Sequence, residues 1–185
     1  MKLATVVIAA VACALVTVEV SAVDELVSGK VTVIRPGTLA KFVSRSTQQP
    51  GQMPFTLPMP GSTGDPTING ATLTYADVGG MAGSATYALD ASGWKGLGSP
   101  PGSRGYRYKG RDDAVDLNPK GTCRSVRIGG TVIKGVCRDD VPFSTPFGDA
   151  ESVVLEMGSG SGSLRYCAEF GGEETKNDTE AMQRR

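Results

Sequence analysis

The sequence predicts an all-β fold, an antiparallel β-sandwich or a barrel-like relative of it, built from about eight to ten short strands. Three observations lead there. Short runs of alternating apolar and polar residues recur along the chain, as half-buried strands require. Turn residues separate them, with 25 glycines and 11 prolines among 185 residues. No stretch carries a convincing amphipathic helical period. Edge strands in such a fold need covering or charging to avoid association.

The chain divides into three parts. Lys2 gives a positive start, Leu3 to Val20 is a nearly unbroken apolar run, and Val20-Ser21-Ala22 supplies small residues at a cleavage position. Residues 1–22 are therefore read as a secretory signal peptide cut after Ala22. Residues 23–172 form a single β-sandwich domain, and residues 173–185 a charged, apolar-poor, disordered tail. No later run reaches transmembrane length, so none is expected after signal cleavage. The mature protein is expected outside the cytoplasm, secreted or periplasmic, in an oxidising compartment.

The strands follow in order. Gly29 to Arg35 alternates, Pro36-Gly37 stops it, and Ala40 to Ser46 returns as the second arm of a first hairpin. Gln48 to Pro66 holds five prolines and reads as a long loop, with Phe55 and Leu57 tucked against the core. Ala71 to Asp77 and Ser84 to Leu89 form a second pair across a glycine-rich turn. Gly105 to Arg111 alternates Tyr106 and Tyr108 with Arg107 and Lys109, giving a strand one aromatic and one basic face. Ser152 to Met157 and Leu164 to Phe170 make the last pair around a Gly/Ser tract.

The sharpest signal is Cys123 to Cys137, a hairpin whose arms flank Gly129-Gly130. A two-residue loop there sets Cys123 opposite Val136. A three-residue loop, or a bulge at Gly135, sets it opposite Cys137. The thiols meet at the open end, where a disulfide can staple the hairpin. Once Cys13 leaves with the signal peptide, Cys167 is the odd cysteine, either a free thiol or one that joins another molecule.

Function is less legible. The chain has no histidine, which excludes catalysis by Ser-His-Asp or Cys-His groups and zinc sites containing histidine. Acidic and basic residues balance at 19 each, so no global field draws the chain to nucleic acid, and no nucleic-acid partner is expected. No cofactor and no catalytic residue is nominated. Asp112, Asp113 and Asp116, with Asn118, place hard oxygens in a short loop and are a weak calcium candidate, without the glycine and terminal glutamate of an EF-hand. A glycosidase reading would draw on those aspartates with Asp139 and Asp140. Trp94, Tyr106 and Tyr108 are glycan-stacking candidates if they are exposed, and core residues otherwise. Asn177-Asp178-Thr179 matches a glycosylation sequon.

The stretches Gly93 to Gly110 (GWKGLGSPPGSRGYRYKG), Gly121 to Cys137 and Arg165 to Gly172 (RYCAEFGG) resemble a group of secreted bacterial domains without assigned activity. The early GKVTVIR and GDPTINGATLT segments fit as well. In that group a further cysteine follows near the C-terminus. Here Glu173 to Arg185 has none, which leaves Cys167 without the partner that the resemblance implies. The expected function is a non-catalytic extracellular or cell-envelope module with a structural or binding role, its partner a glycan or a protein. A carbohydrate-binding module is the sharper alternative, and a carboxylate-based glycosidase the weaker one.

Overall fold

In the computed structural model, the described residues are 23–46, 55–79, 83–110, 122–138, 141, 143–144, 146–148, 150–178 and 180–185. The chain is all-β, and its mixed sheet curls until it nearly closes into a barrel. The barrel-like form of the expected fold is the one adopted.

β1 (Val23–Arg35) and β2 (Leu39–Ser46) are the first hairpin, turning at Gly37 with φ +72°. β3 (Ala71–Val78) and β4 (Ser84–Leu89) are the second. The short β5 (Trp94–Gly96) and β6 (Tyr106–Lys109) precede the stapled pair β7 (Thr122–Gly129) and β8 (Val132–Arg138). β9 (Ala150–Met157), β10 (Leu164–Phe170), β11 (Glu174–Asn177) and β12 (Met182–Arg184) complete the chain. The order across the sheet is β4-β3-β9-β10-β1-β2-β8-β7-β6-β5. Its pairings are antiparallel except β1 with β10.

β1 serves two partners on one edge. Val23 to Ser28 run parallel to β10, and Thr32 to Ile34 pair antiparallel with β12. The strand changes partner at a bulge between Gly29 and Val31. A Cβ on Gly29 would sit 2.4 Å from the Glu169 carbonyl, so only glycine fits there.

The C-terminal segment corrects the expectation of a disordered tail. β11 and β12 form a hairpin, and the Asp178 carboxylate accepts from the amides of Glu180 and Ala181 to shape its turn. Few residues here are apolar, but Ala181 and Met182 are both buried.

The β7–β8 hairpin turns one residue later than the sequence suggests. Gly129 pairs with Val132, and the loop is Gly130-Thr131, with Gly130 at φ +59°. The compensating bulge lies on the first arm, between Cys123 and Ser125, rather than at Gly135. Gly135 instead packs flat against the Phe42 ring, leaving no room for a Cβ. Cys123 faces Cys137, and the two are disulfide-bonded.

Aromatic rings fill the interior. Phe42 meets Tyr75 edge-on at 5.7 Å, and Tyr75 meets Tyr87 and Phe143, each at 6.2 Å. Residues 55–64 cross one end of the barrel. Phe55 is buried and Leu57 packs against the core, as expected for this proline-rich loop. The Tyr166 and Tyr106 hydroxyls donate to the carbonyls of Thr56 and Pro58, and the Glu25 carboxylate accepts from the Thr56 amide. Val141, Phe143 and Phe147 cover the other end. A single-turn helix, α1 (Pro66–Asn69), follows the plug and is capped by Asp65.

β4 and β5, the two ends of the sheet, are consecutive in sequence, joined through the 3-10 turn Ala91–Gly93. They make no ladder with each other. The Trp94 indole N–H donates to the Leu89 carbonyl across this gap at 3.2 Å.

A cationic outer face as the candidate functional site

The aromatic candidates lie inside. Trp94, Tyr106 and Tyr108 are 6%, 1% and 8% exposed, and the Trp94 and Tyr108 rings pack at 5.4 Å. This corrects the stacking expectation, because a sugar ring needs an open aromatic face. Burial also pushes the Tyr106 hydroxyl up to about 12, with the Asp65 charge adding to the rise. In the uncleaved 185-residue chain Cys167 is disulfide-bonded, and in a chain starting at Val23 it is again the odd cysteine. The calcium candidates Asp112, Asp113 and Asp116, and the glycosidase candidates Asp139 and Asp140, lie outside the described residues. Among the described residues, no three His, Cys, Asp or Glu side chains gather as a metal site would need. No helix among them is long and apolar enough to cross a membrane.

Among the described residues, Glu151 and Arg184 form a buried titratable cluster. Glu151 is 1% exposed and accepts from Arg184 Nε at 2.9 Å, while Arg184 also donates to the Gly148 carbonyl and to Glu174. Burial pushes the Glu151 carboxyl up to about 7, outweighing the Arg184 guanidinium beside it, and Asp77 and Glu174 add to the rise. The cluster ties β12 to β9 at the end of the barrel where Gly148 bonds Asp77.

The outer face of β2, β8, β7, β6 and β5 is different in kind. Inward alternation of Trp94, Tyr106, Tyr108, Val126, Ile128 and Ile133 sends the intervening residues outward. The ladder register then aligns charges. Lys95 stands opposite Arg107, Arg107 opposite Arg127, and Arg127 opposite Lys134. Four cations on four adjacent strands thus form one row, and all four are exposed. Neighbouring strands are about 4.8 Å apart, so the row spans roughly 14 Å.

Two residues along the strands runs a second row, Lys109, Ser125, Val136 and Lys41. Its ends are cationic and its middle is small. The result is a shallow trough of about 600 Å³ with Ser125 and Val136 in its floor, edged by Arg107, Arg127 and Lys134. No Asp or Glu occurs in any of these five strands. Among the described residues, none of Lys41, Lys95, Arg107, Lys109, Arg127 and Lys134 is ion-paired. The far side of the barrel has the reverse balance. There β3, β9 and β10 carry Asp77, Glu151, Glu156 and Glu169 against Arg165 alone.

Overall neutrality therefore hides a segregated charge. Sequence reasoning found Arg107 and Lys109 on their basic strand face and missed Lys41, Lys95, Arg127 and Lys134. The available signal was the lack of carboxylates from Lys95 to Gly110 and from Thr122 to Arg138. What was missing was the strand order that sets β2 against β8.

Cations facing solvent on an edge strand need no function, since they discourage pairing with other chains. That explanation covers Lys95 on β5. It does not cover Arg127 and Lys134, whose strands are hydrogen-bonded on both sides. Like charges directly opposite in a ladder destabilise it. Three consecutive such pairs lie on this face.

Compared with known proteins, the chain matches no family model, no curated protein and no solved structure.

Proposed function

We propose that this chain is a non-catalytic module acting outside the cytoplasm, which holds a partner on the outside of its barrel and transforms nothing within it. The observation that carries this reading is the division of labour between its surfaces. The interior is filled with rings and covered at both ends, while unpaired charge is concentrated on one outer face. An enzyme of this size needs a recess where polar groups converge on a substrate. Among the described residues, the charges that line the trough are of one sign, which suits binding rather than acid–base work. The Cys123–Cys137 disulfide supports an oxidising location, as do the N-terminal signal pattern and the resemblance to secreted bacterial domains.

The test is export of the chain with its own N-terminal segment from a bacterial host, followed by intact mass and non-reducing peptide mapping. A chain starting at Val23 with Cys123 joined to Cys137 is the expected result. A product retained in the cytoplasm, with residues 1–22 attached and both thiols reduced, overturns the reading.

A further inference from the structure

We infer that the cationic trough is a docking site for a linear acidic polysaccharide, which lies across β6, β7, β8 and β2. This rests on the proposed function above and names its ligand class.

The trough runs from Lys109 on β6 to Lys41 on β2, over Ser125 and Val136. The two rows of residues are separated by two strand positions, about 7 Å, a width that admits one extended chain. Arg107, Arg127 and Lys134 follow one another along its side at the inter-strand spacing of about 4.8 Å. A polymer with a carboxylate or sulfate on successive sugars presents anions at comparable short intervals. Arginine guanidinium forks suit such planar or multi-oxygen anions. The floor residues Ser125 and Val136 leave room for a ring and offer one hydroxyl and one apolar contact.

Other polyanions fit less well. Single-stranded nucleic acid is held by bases stacked on aromatic side chains. Here Trp94, Tyr106 and Tyr108 all point inward, so the face has no platform for a base. A membrane-surface protein embeds apolar anchors beside its cations. Among the described residues, the exposed large hydrophobic ones are Leu26, Met59 and Ile68, and none belongs to these five strands. A narrow trough running across the strands of a curved wall matches a thread better than a plane of headgroups.

The experiment is calorimetric titration with polygalacturonate oligomers, which carry one carboxylate per sugar, at low ionic strength. Neutral dextran oligomers, phosphatidylglycerol vesicles and duplex DNA are the comparison probes. Polygalacturonate is expected to bind, weakening steeply with added salt, while dextran does not bind. The double variant Arg107→Glu/Arg127→Glu is expected to lose at least about tenfold in affinity. The neutral pair Arg107→Gln/Arg127→Gln should show a smaller loss, and Lys30→Glu on β1 none. Thermal melts of each variant confirm folding.

An affinity indifferent to the Arg107 and Arg127 changes overturns the inference. So does vesicle or DNA binding as tight as that of polygalacturonate and lost with the same arginines. A correctly processed, exported protein that binds no polygalacturonate overturns this inference alone and leaves the extracytoplasmic reading standing.

Discussion

Glu151 shows how one side chain can set a pH response. Its carboxyl lies in the barrel wall against Arg184, and burial raises it from 4.5 to about 7. A group raised on folding binds its proton more tightly in the native state. Its stabilising contribution is complete below about pH 4.5 and is lost as pH climbs through about 7. Melting temperatures across that window should therefore fall in the native protein. Glu151→Gln keeps a hydrogen-bond acceptor for Arg184 but does not titrate, so its profile over the same window should be flatter. An identical slope in both proteins would remove Glu151 as the cause. None of this was legible in the sequence, because Glu151 and Arg184 are 33 residues apart and nothing local marks either as buried. The tyrosines were different. Tyr106 and Tyr108 at alternate positions left two readings, exposed platform or core. Only the closure of the sheet over them decides for the core.

Among elements, the hairpins were legible and their partners were not. β1–β2, β3–β4, β7–β8 and β9–β10 follow from alternation and intervening turn residues, since local chemistry specifies them. β5, β11 and β12 are three or four residues long, too short for a periodic signal. The C-terminal hairpin in particular is held by contacts remote in sequence. The Asn177 side chain accepts from the Phe147 amide at 3.0 Å and donates to its carbonyl at 3.1 Å, fastening the hairpin beneath the end cover. Asn177→Ala leaves both backbone groups without that partner and should cost about 1–3 kcal/mol. Denaturant unfolding measures it, and a change within error would show the hairpin to be held by β1 pairing alone. The same nitrogen bears on the sequon, since it donates to both the Phe147 carbonyl and Glu174, and a glycan would replace one of its two hydrogens.

At the scale of the whole molecule, the equal counts of acidic and basic residues concealed a segregation of charge among the described strands. Composition cannot reveal this, because the segregation is produced by strand order and strand order is a long-range property. The cationic row also carries an energetic signature of its own. Replacing Arg127 by Thr removes two opposed like-charge pairs and supplies a β-branched residue suited to a strand. Arg127→Thr should raise stability by about 0.5 kcal/mol at low ionic strength, and added salt should shrink the gain. A loss of stability would mean that the arginine stem packs on its neighbours more than its charge repels them. The seam between β4 and β5 has a different consequence. The chain contains a single tryptophan, and it is the residue that bridges this gap. The protein thus carries a native optical probe at the one join of its wall that has no backbone ladder. Emission from Trp94 reports on the parting of β4 from β5, so spectroscopy on the unlabelled protein can follow this seam of the barrel directly.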